Sequence, residues 1–579
     1  MLVLVGVVVL SLSHVGQAVP GEGLVRVGGL STMGENGKGF QAYFVDRNCK
    51  EFKFSGWNNW EMIEAAAGVA SALPDEKQKN VRAGKNLVRF IFDSAEDAHL
   101  TVGRFFGHGH NEKKIVLQPE LGEYNQKALD AFDWVLAEAG ARGLKLIMSF
   151  ADNWKVGDSR KTYAEKFGGK EPMDFFTDPD IKQMYKDHID FLVNHENSLN
   201  GVKYKDDPTI FAWNLMNEPR CDCDLSQENE FCDKSCASIV QAWIEEISNH
   251  LKTVDPNHMA VVGEEGFYSL TPWRTWVNPD AFFSGGAPWA QLAGQDFISN
   301  HNLPTIDYLS VHTWPDNWGL PELWFQSVWV REHNNDAWWL QTKPFVVEEF
   351  GKIVVEDDDT DRKSIRDPFI RDLYKLFHQL RGGNGAMKGV AFWEFDAATH
   401  KKPGVYGIRP THSTWEDIIV PQSKVVKDEV KREPLRDHCV PGKRRSFDAH
   451  FIGEEVYYIT SGPHLQARWE GKDIGEPLKG VKSIKECIDA CEAEKEDCVQ
   501  FRYNKNIDDG TCVLKSRGAN DYKWSPEGWQ TYWRREASTK CKAKGCKLCQ
   551  KGRNGVCILC EGKAKLYQGR NEIPVCKEK

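Results

Sequence analysis

The sequence predicts an α/β fold: a (β/α)8 barrel followed by a small disulfide-rich α+β module and a cysteine-rich tail. Three observations predict it. Eight apolar, β-branched runs alternate with longer helical stretches from about Gly39 to Ile419. No Gly-rich phosphate turn follows an early run, which a doubly wound open sheet, the competing fold, would want. The 16 cysteines fall into small even groups, as local disulfide frameworks outside the cytosol do.

The elements follow in order. Residues 1–18 hold an apolar stretch, Leu2 to Leu12, ending in small residues at Gly16 and Ala18, and read as a signal peptide. No other stretch has transmembrane length, so the mature chain is expected to be secreted. Residues 19–419 form the large domain. Its expected strands are Phe52–Asn58, Asn86–Phe92, Leu144–Phe150, Thr209–Glu218, Met259–Glu265, Ile306–His312, Pro344–Gly351 and Gly389–Phe395. These runs suit strands covered on both faces. Between them, Asn125–Gly143 carries Ala128, Phe132, Val135, Leu136 and Ala139 on one helical stripe. The charged, proline-punctuated stretch 420–446 reads as a linker, 447–536 as a compact module and 537–579 as the tail.

Composition narrows the chemistry. Among 579 residues, 41% are hydrophobic and 27% charged, as in an ordinary globular protein. A formal charge of −10 argues against nucleic acid as the main partner. The 21 tryptophans serve packing first, but an indole also covers the C–H face of a pyranose ring. No metal or cofactor signature such as HExxH or a phosphate loop appears, so none is expected.

Barrel enzymes place their chemistry at the C-terminal strand ends, and two acids stand there. Trp213–Pro219 ends in Asn217–Glu218–Pro219, where proline forces the chain out of the sheet. Val346–Gly351 ends similarly, with Glu349 just before the turn. Strict alternation sends Glu348 and Glu349 to opposite sides, so only one would face the mouth. Opposed carboxyls on the fourth and seventh strands suit glycoside hydrolysis, one as proton donor and one ionised. An isolated glutamate is usually a surface residue; two at these ordinal positions make that reading improbable.

NEP at the fourth strand, His312–Thr313–Trp314 at the sixth, EFG at the seventh and Trp393 in the eighth resemble glycoside hydrolase family 5. YKDDPTIFAWNLMNEPRC, IDYLSVHTWPDNW and KPFVVEEFGK resemble its endo-β-1,4-mannanases in particular. The resemblance implies Glu218 as acid/base and Glu349 as nucleophile. Asn217 would bond the sugar 2-hydroxyl, and Arg89, placed at the end of the second strand, would keep the nucleophile ionised. His312 would lie near the acid/base, Trp393 beneath the reacting sugar, and Asn153 and Trp154 at the family's NNW position. Trp314 departs from the pattern, since relatives carry tyrosine there to bond the nucleophile. The substrate implied is a mannan-type polysaccharide. An endo-β-1,4-glucanase, or a decayed carbohydrate-binding wall protein as Trp314 would suit, are the alternatives.

Cys487-x3-Cys491-x6-Cys498-x13-Cys512 resembles a PAN/apple domain, which implies Cys487–Cys512 and Cys491–Cys498 pairs and a protein or wall-carbohydrate partner. The tail carries 11 Lys/Arg against 3 Glu. Its Cys546-x2-Cys549-x7-Cys557-x2-Cys560 has zinc-like spacing, yet six cysteines in a secreted segment favour disulfides.

Overall fold

A computed structural model describes residues 24–432, apart from 28–42, 47–49, 71–72, 74–79, 108–114, 155–156, 169, 222–234, 283–287, 321–322, 340–342, 357, 382–384 and 398–405. Beyond residue 448 it describes strands and their pairing. The expected signal peptide and the side chains of Cys487, Cys491, Cys498 and Cys512 lie outside the described residues.

Eight parallel strands form the barrel wall: β1 (Phe54–Asn58), β2 (Val102–Phe106), β3 (Lys145–Ser149), β4 (Ile210–Asn214), β5 (Met259–Val261), β6 (Leu309–Thr313), β7 (Phe345–Phe350) and β8 (Met387–Phe392). They pair in the order β5-β4-β3-β2-β1-β8-β7-β6. Two backbone bonds, Asp307 N–H to Ala260 and His312 N–H to Glu265, bridge the remaining gap between β5 and β6. A helix follows each strand: α1 (Val81–Asp97), α2 (Gln126–Ala141), α3 (Pro179–Asn194), α4 (Ser235–Val254), α5 (Phe297–His301), α6 (Leu323–Trp339), α7 (Asp367–Leu380) and α8 (Val420–Arg432). This is the (β/α)8 architecture.

Two expectations are corrected. Asn86–Phe92 is not a strand but the middle of α1. Gly84, Val88, Ile91, Phe92 and Ala95 are buried along one helical face, and the Asn80 side chain caps the start by accepting from Ala83 N–H. The true second strand, VGRFF, was obscured by glycine and arginine in a short run. Gly103 is required there, because a Cβ would fall 2.7 Å from the Trp57 ring. The stretch read as a linker begins instead with α8: Val426 is buried, Glu429 pairs with Arg381, and Ser423 bonds Ser55 of β1 at 2.8 Å.

Val102, Ile147, Met259, Val261 and Val346 fill the barrel interior. Its N-terminal end is plugged by a three-stranded antiparallel sheet of Arg26–Val27, Phe44–Val45 and Glu51–Phe52. Phe44 packs edge-on against Phe211 and Tyr308 at 5.2 and 5.4 Å. With that end closed among the described residues, the C-terminal rim is where the barrel offers a cleft to a ligand. In the C-terminal region, Val456–Ser461, Gln530–Ser538, Gln500–Asn504 and Thr511–Lys515 pair antiparallel in succession. Among the described residues the disulfide is Cys221–Cys236, which ties the loop after β4 to the start of α4.

Candidate active site

Beyond Asn214 the chain leaves β4 and carries Glu218 to the rim. Glu218 adopts φ 50°, a left-handed conformation uncommon for a non-glycine residue and here followed by Pro219. Its N–H donates to the Gly263 carbonyl at 2.7 Å, which holds the turn. Gly263, itself at φ 84°, passes so close to Asn214 that a Cβ would meet its side-chain nitrogen at 1.9 Å. Tight passage of β5 against β4 thus fixes the direction of Glu218.

Glu349 reaches the rim through a different device. Val347 pairs with Val311 and Glu349 with His312, so Glu348 is an extra residue in β7. The bulge cancels the expected alternation: Glu348 and Glu349 both approach the guanidinium of Arg104. Glu349 Oε1 accepts from Arg104 Nη1 at 2.5 Å; Glu348 Oε2 lies 3.9 Å from Nε, and Tyr308 donates to Glu348 Oε1 at 2.7 Å.

Arg104, on β2, is the hub. Fully enclosed, it also donates to Asn217 (2.8 Å), Asn214 (3.0 Å) and Asn58 (3.3 Å). Arg89 does not take this place. It lies on the outer face of α1, with its side chain 43% exposed and paired to Glu138 at 3.0 Å, as helical periodicity dictates once that segment is not a strand.

Glu218 and Glu349 face each other. An oxygen of each, together with a ring nitrogen of His312, lie within 4.8 Å of one another. His312 Nδ1 is 2.6 Å from Glu218 Oε1 and 3.4 Å from Glu349 Oε2. That separation suits the narrow spacing of retaining glycosidases, about 5–5.5 Å between carboxyls, rather than the roughly 6.5–9.5 Å of inverting ones. This trio is the cation-sized acidic cluster among the described residues, but the adjacent Arg104 already supplies positive charge to it.

Burial pushes both carboxyls above the ordinary glutamate range, because the charged forms lose hydration. His312 and Arg104 oppose that rise at Glu349, while Glu218 adds to it. At Glu218 the opposing groups are Arg220, the Trp154 indole, Arg104 and the Trp314 indole. Trp154 Nε1 donates to Glu218 Oε2 at 2.7 Å. His312 is pushed below its usual value by burial, which favours the neutral ring.

A cleft of about 570 Å³ opens above the acids. Trp314 stands edge-on to Trp393 (6.1 Å) and Tyr406 (5.0 Å) on one side. On the other, Arg220 forms a two-pronged ion pair with Glu265 and lies 5.3 Å from the centre of Trp154 and 5.2 Å from that of Phe267. Asn217 lines the cleft, and its amide nitrogen donates to Asp152 at 3.2 Å. Asn153 does not line it: it is buried and accepts from Arg160 Nε at 2.6 Å, so it braces the loop after β3. Arg104, Arg220, Glu265 and Tyr406 were absent from the sequence reading. Arg220 alone carries a signal in the sequence, directly after Asn217–Glu218–Pro219.

A family model described as GH family 5 beta-mannosidase-like matches residues 156–276 and 284–413. A protein from Arabidopsis thaliana named Mannan endo-1,4-beta-mannosidase 1 is 31% identical over 417 residues, spanning 68% of this chain and 92% of its own length. The chain belongs to glycoside hydrolase family 5. A namesake from Oryza sativa subsp. japonica is 37% identical over 308 residues, covering 51% of this chain and 66% of that one. Among solved structures, the hyperthermostable endo-1,4-beta-D-mannanase from Thermotoga petrophila RKU-1 matches with a TM-score of 0.52 at 27% identity, covering 65% of this chain and all of that one. A PAN domain model matches residues 466–542. This family-5 hydrolase therefore joins a barrel to a PAN domain.

Proposed function

We propose that this family-5 hydrolase is a secreted endo-β-1,4-mannanase that acts with retention of configuration. The observation that carries the reading is the close pairing of Glu218 and Glu349 on opposite sides of one barrel mouth. Glu349, bonded to Arg104, attacks the anomeric carbon as a carboxylate, while Glu218 passes its proton to the departing glycosidic oxygen. A glycosyl ester on Glu349 results. Glu218, now ionised, takes a proton from water, which attacks the same carbon and frees the carboxylate.

Asn217 is held by Arg104 and Asp152 with little freedom, which suits it to bond the 2-hydroxyl. That contact favours the sugar whose 2-hydroxyl points toward it. Trp393 serves as floor of the reacting subsite and His312 as a neutral bridge between the acids. Trp314 acts on Glu218, so the nucleophile relies on Arg104 and His312 for its donors. Mannan as substrate is supported by the names of the relatives and of the barrel neighbour. The chain from 433 to about 446 is read as the linker, and the PAN domain as a binder of wall carbohydrate or protein. No helix among the described residues is long and apolar enough to cross a membrane.

The test is a product profile of the purified mature chain on soluble β-1,4-mannan, glucan and xylan, with a 2-fluoro mannosyl donor as trap. Expected are shortened manno-oligosaccharides and a mass adduct on the peptide carrying Glu349. Cleavage of glucan alone, or an adduct elsewhere, would overturn the assignment.

A further inference from the structure

The loops after β3 and β4 run side by side at the rim. Asn217 N–H donates to the Ala151 carbonyl and Asn153 N–H to the Asn217 carbonyl, both at 3.0 Å. These backbone bonds join the two loops independently of the side chain that lies between them, Asp152. That side chain is buried at the border of the cleft. Its Oδ1 accepts from Trp154 N–H at 2.8 Å, which anchors the carboxyl within its own loop. Its Oδ2 accepts from Asn217 Nδ2 at 3.2 Å, across to the other loop.

Asn217 needs two anchors to point one way. Arg104 has only donors, so the atom that faces its Nη2 at 2.8 Å is Oδ1, and the amide cannot be flipped. A single bond to Oδ1 still lets the amide swing about that oxygen. The Asp152 contact pins Nδ2 as well and takes one of its hydrogens. The other hydrogen is what Nδ2 can offer the cleft, so the amide nitrogen meets a sugar hydroxyl as a donor. Bonds to the 2-hydroxyl strengthen as the glycosidic bond breaks, so the aim of that N–H bears on the barrier more than on binding.

We infer that Asp152 is a positioning residue, which aims the Asn217 amide at the 2-hydroxyl of the reacting sugar and acts through Asn217 rather than on the sugar itself. The inference rests on the hydrolase reading above and adds to it the group that sets the direction of Asn217.

The experiment compares the full chain with its Asp152→Ala, Asp152→Asn and Asn217→Ala variants and with the double variant Asp152→Ala/Asn217→Ala. The substrates are an aryl β-mannobioside and its analogue lacking the 2-hydroxyl on the reacting ring. Asp152→Ala should lower kcat/KM on the complete substrate about tenfold, mostly in kcat, as the loss of one buried hydrogen bond does. On the deoxygenated analogue the same change should cost under about twofold, and so should adding it to Asn217→Ala. Asp152→Asn keeps an acceptor oxygen and should lie nearer the parent chain than Asp152→Ala. Equal losses on both substrates would mean that Asp152 only supports the fold, and the full loss on top of Asn217→Ala would mean that it acts alone; either result overturns the proposal. Unchanged rates on both substrates overturn it too, as does an asparagine variant no better than alanine. Should Asp152→Ala not fold, Asp152→Leu, which fills a similar volume without an acceptor, takes its place under the same criteria. A parent chain that cleaves neither these compounds nor soluble mannan fails the hydrolase reading instead, before any variant is compared.

Discussion

Replacing Arg104 by lysine isolates what the guanidinium contributes, because the charge stays while the planar fork is lost. Arg104 is fully buried and spans Glu349, Asn217, Asn214 and Asn58 with bonds of 2.5 to 3.3 Å. A single ammonium cannot reach Glu349 and both asparagines from β4 and its loop. Each buried acceptor left unpaired costs about 1–3 kcal/mol. The arrangement that loses most is the one around the reacting carboxylate, so kcat/KM should fall roughly 10²–10³-fold, as removal of one preorganised donor typically does. The pH profile supplies the sharper readout. Burial already raises Glu349 and Arg104 opposes it. With that opposition weakened, the carboxylate ionises only at higher pH, and the acidic limb of kcat/KM should move upward. Initial rates on soluble mannan across the pH range would measure both effects. A variant within twofold of the parent, with its acidic limb in place, would refute the hub role. Arg89→Ala is the control: its ion pair is partly exposed, on the outer face of α1 away from the cleft, and worth about 1 kcal/mol or less, so activity should hold.

Three further outcomes are expected. Trp154→Phe removes an N–H that stabilises ionised Glu218, so the proton donor keeps its proton longer and the basic limb of the rate profile should shift to higher pH; an unmoved limb would contradict this. Asp255 and His258 form a buried pair at 2.8 Å; burial opposes the imidazolium, yet Asp255 outweighs it and His258 titrates above its ordinary value. The stability gap between parent and His258→Gln, followed by urea denaturation, should be widest below about pH 6.5 and narrow as pH rises through the raised His258 value. Gly103→Ala drives a methyl into the Trp57 ring at 2.7 Å and should cost about 1–3 kcal/mol, seen calorimetrically as a lower Tm.

Sequence patterns reveal burial more readily than direction. Seven of the eight barrel strands announce themselves because a parallel strand covered on both faces must be apolar throughout. Asn86–Phe92 looks the same locally, and only the wider spacing of Gly84, Val88, Ile91 and Ala95 exposes it as helix. VGRFF was hidden for the reason that makes it functional, since its arginine turns inward to serve two acids. Glu218 was marked by the proline after it and Glu349 by the glycine two beyond. Glu265 and Tyr406 converge on the site from separate segments, and convergence across the mouth leaves no trace along the chain. The bulge at Glu348 was equally silent, as one extra residue in a strand looks like any other.

That extra residue changes the electrical character of the site. By admitting a second acid beneath the first, it sets Glu348 and Glu349 against the one buried guanidinium of Arg104, beside an imidazole whose charged form burial disfavours. These groups are buried, so the field between them is weakly screened. A sugar ring that becomes cationic as its glycosidic bond stretches meets a field already arranged in its favour.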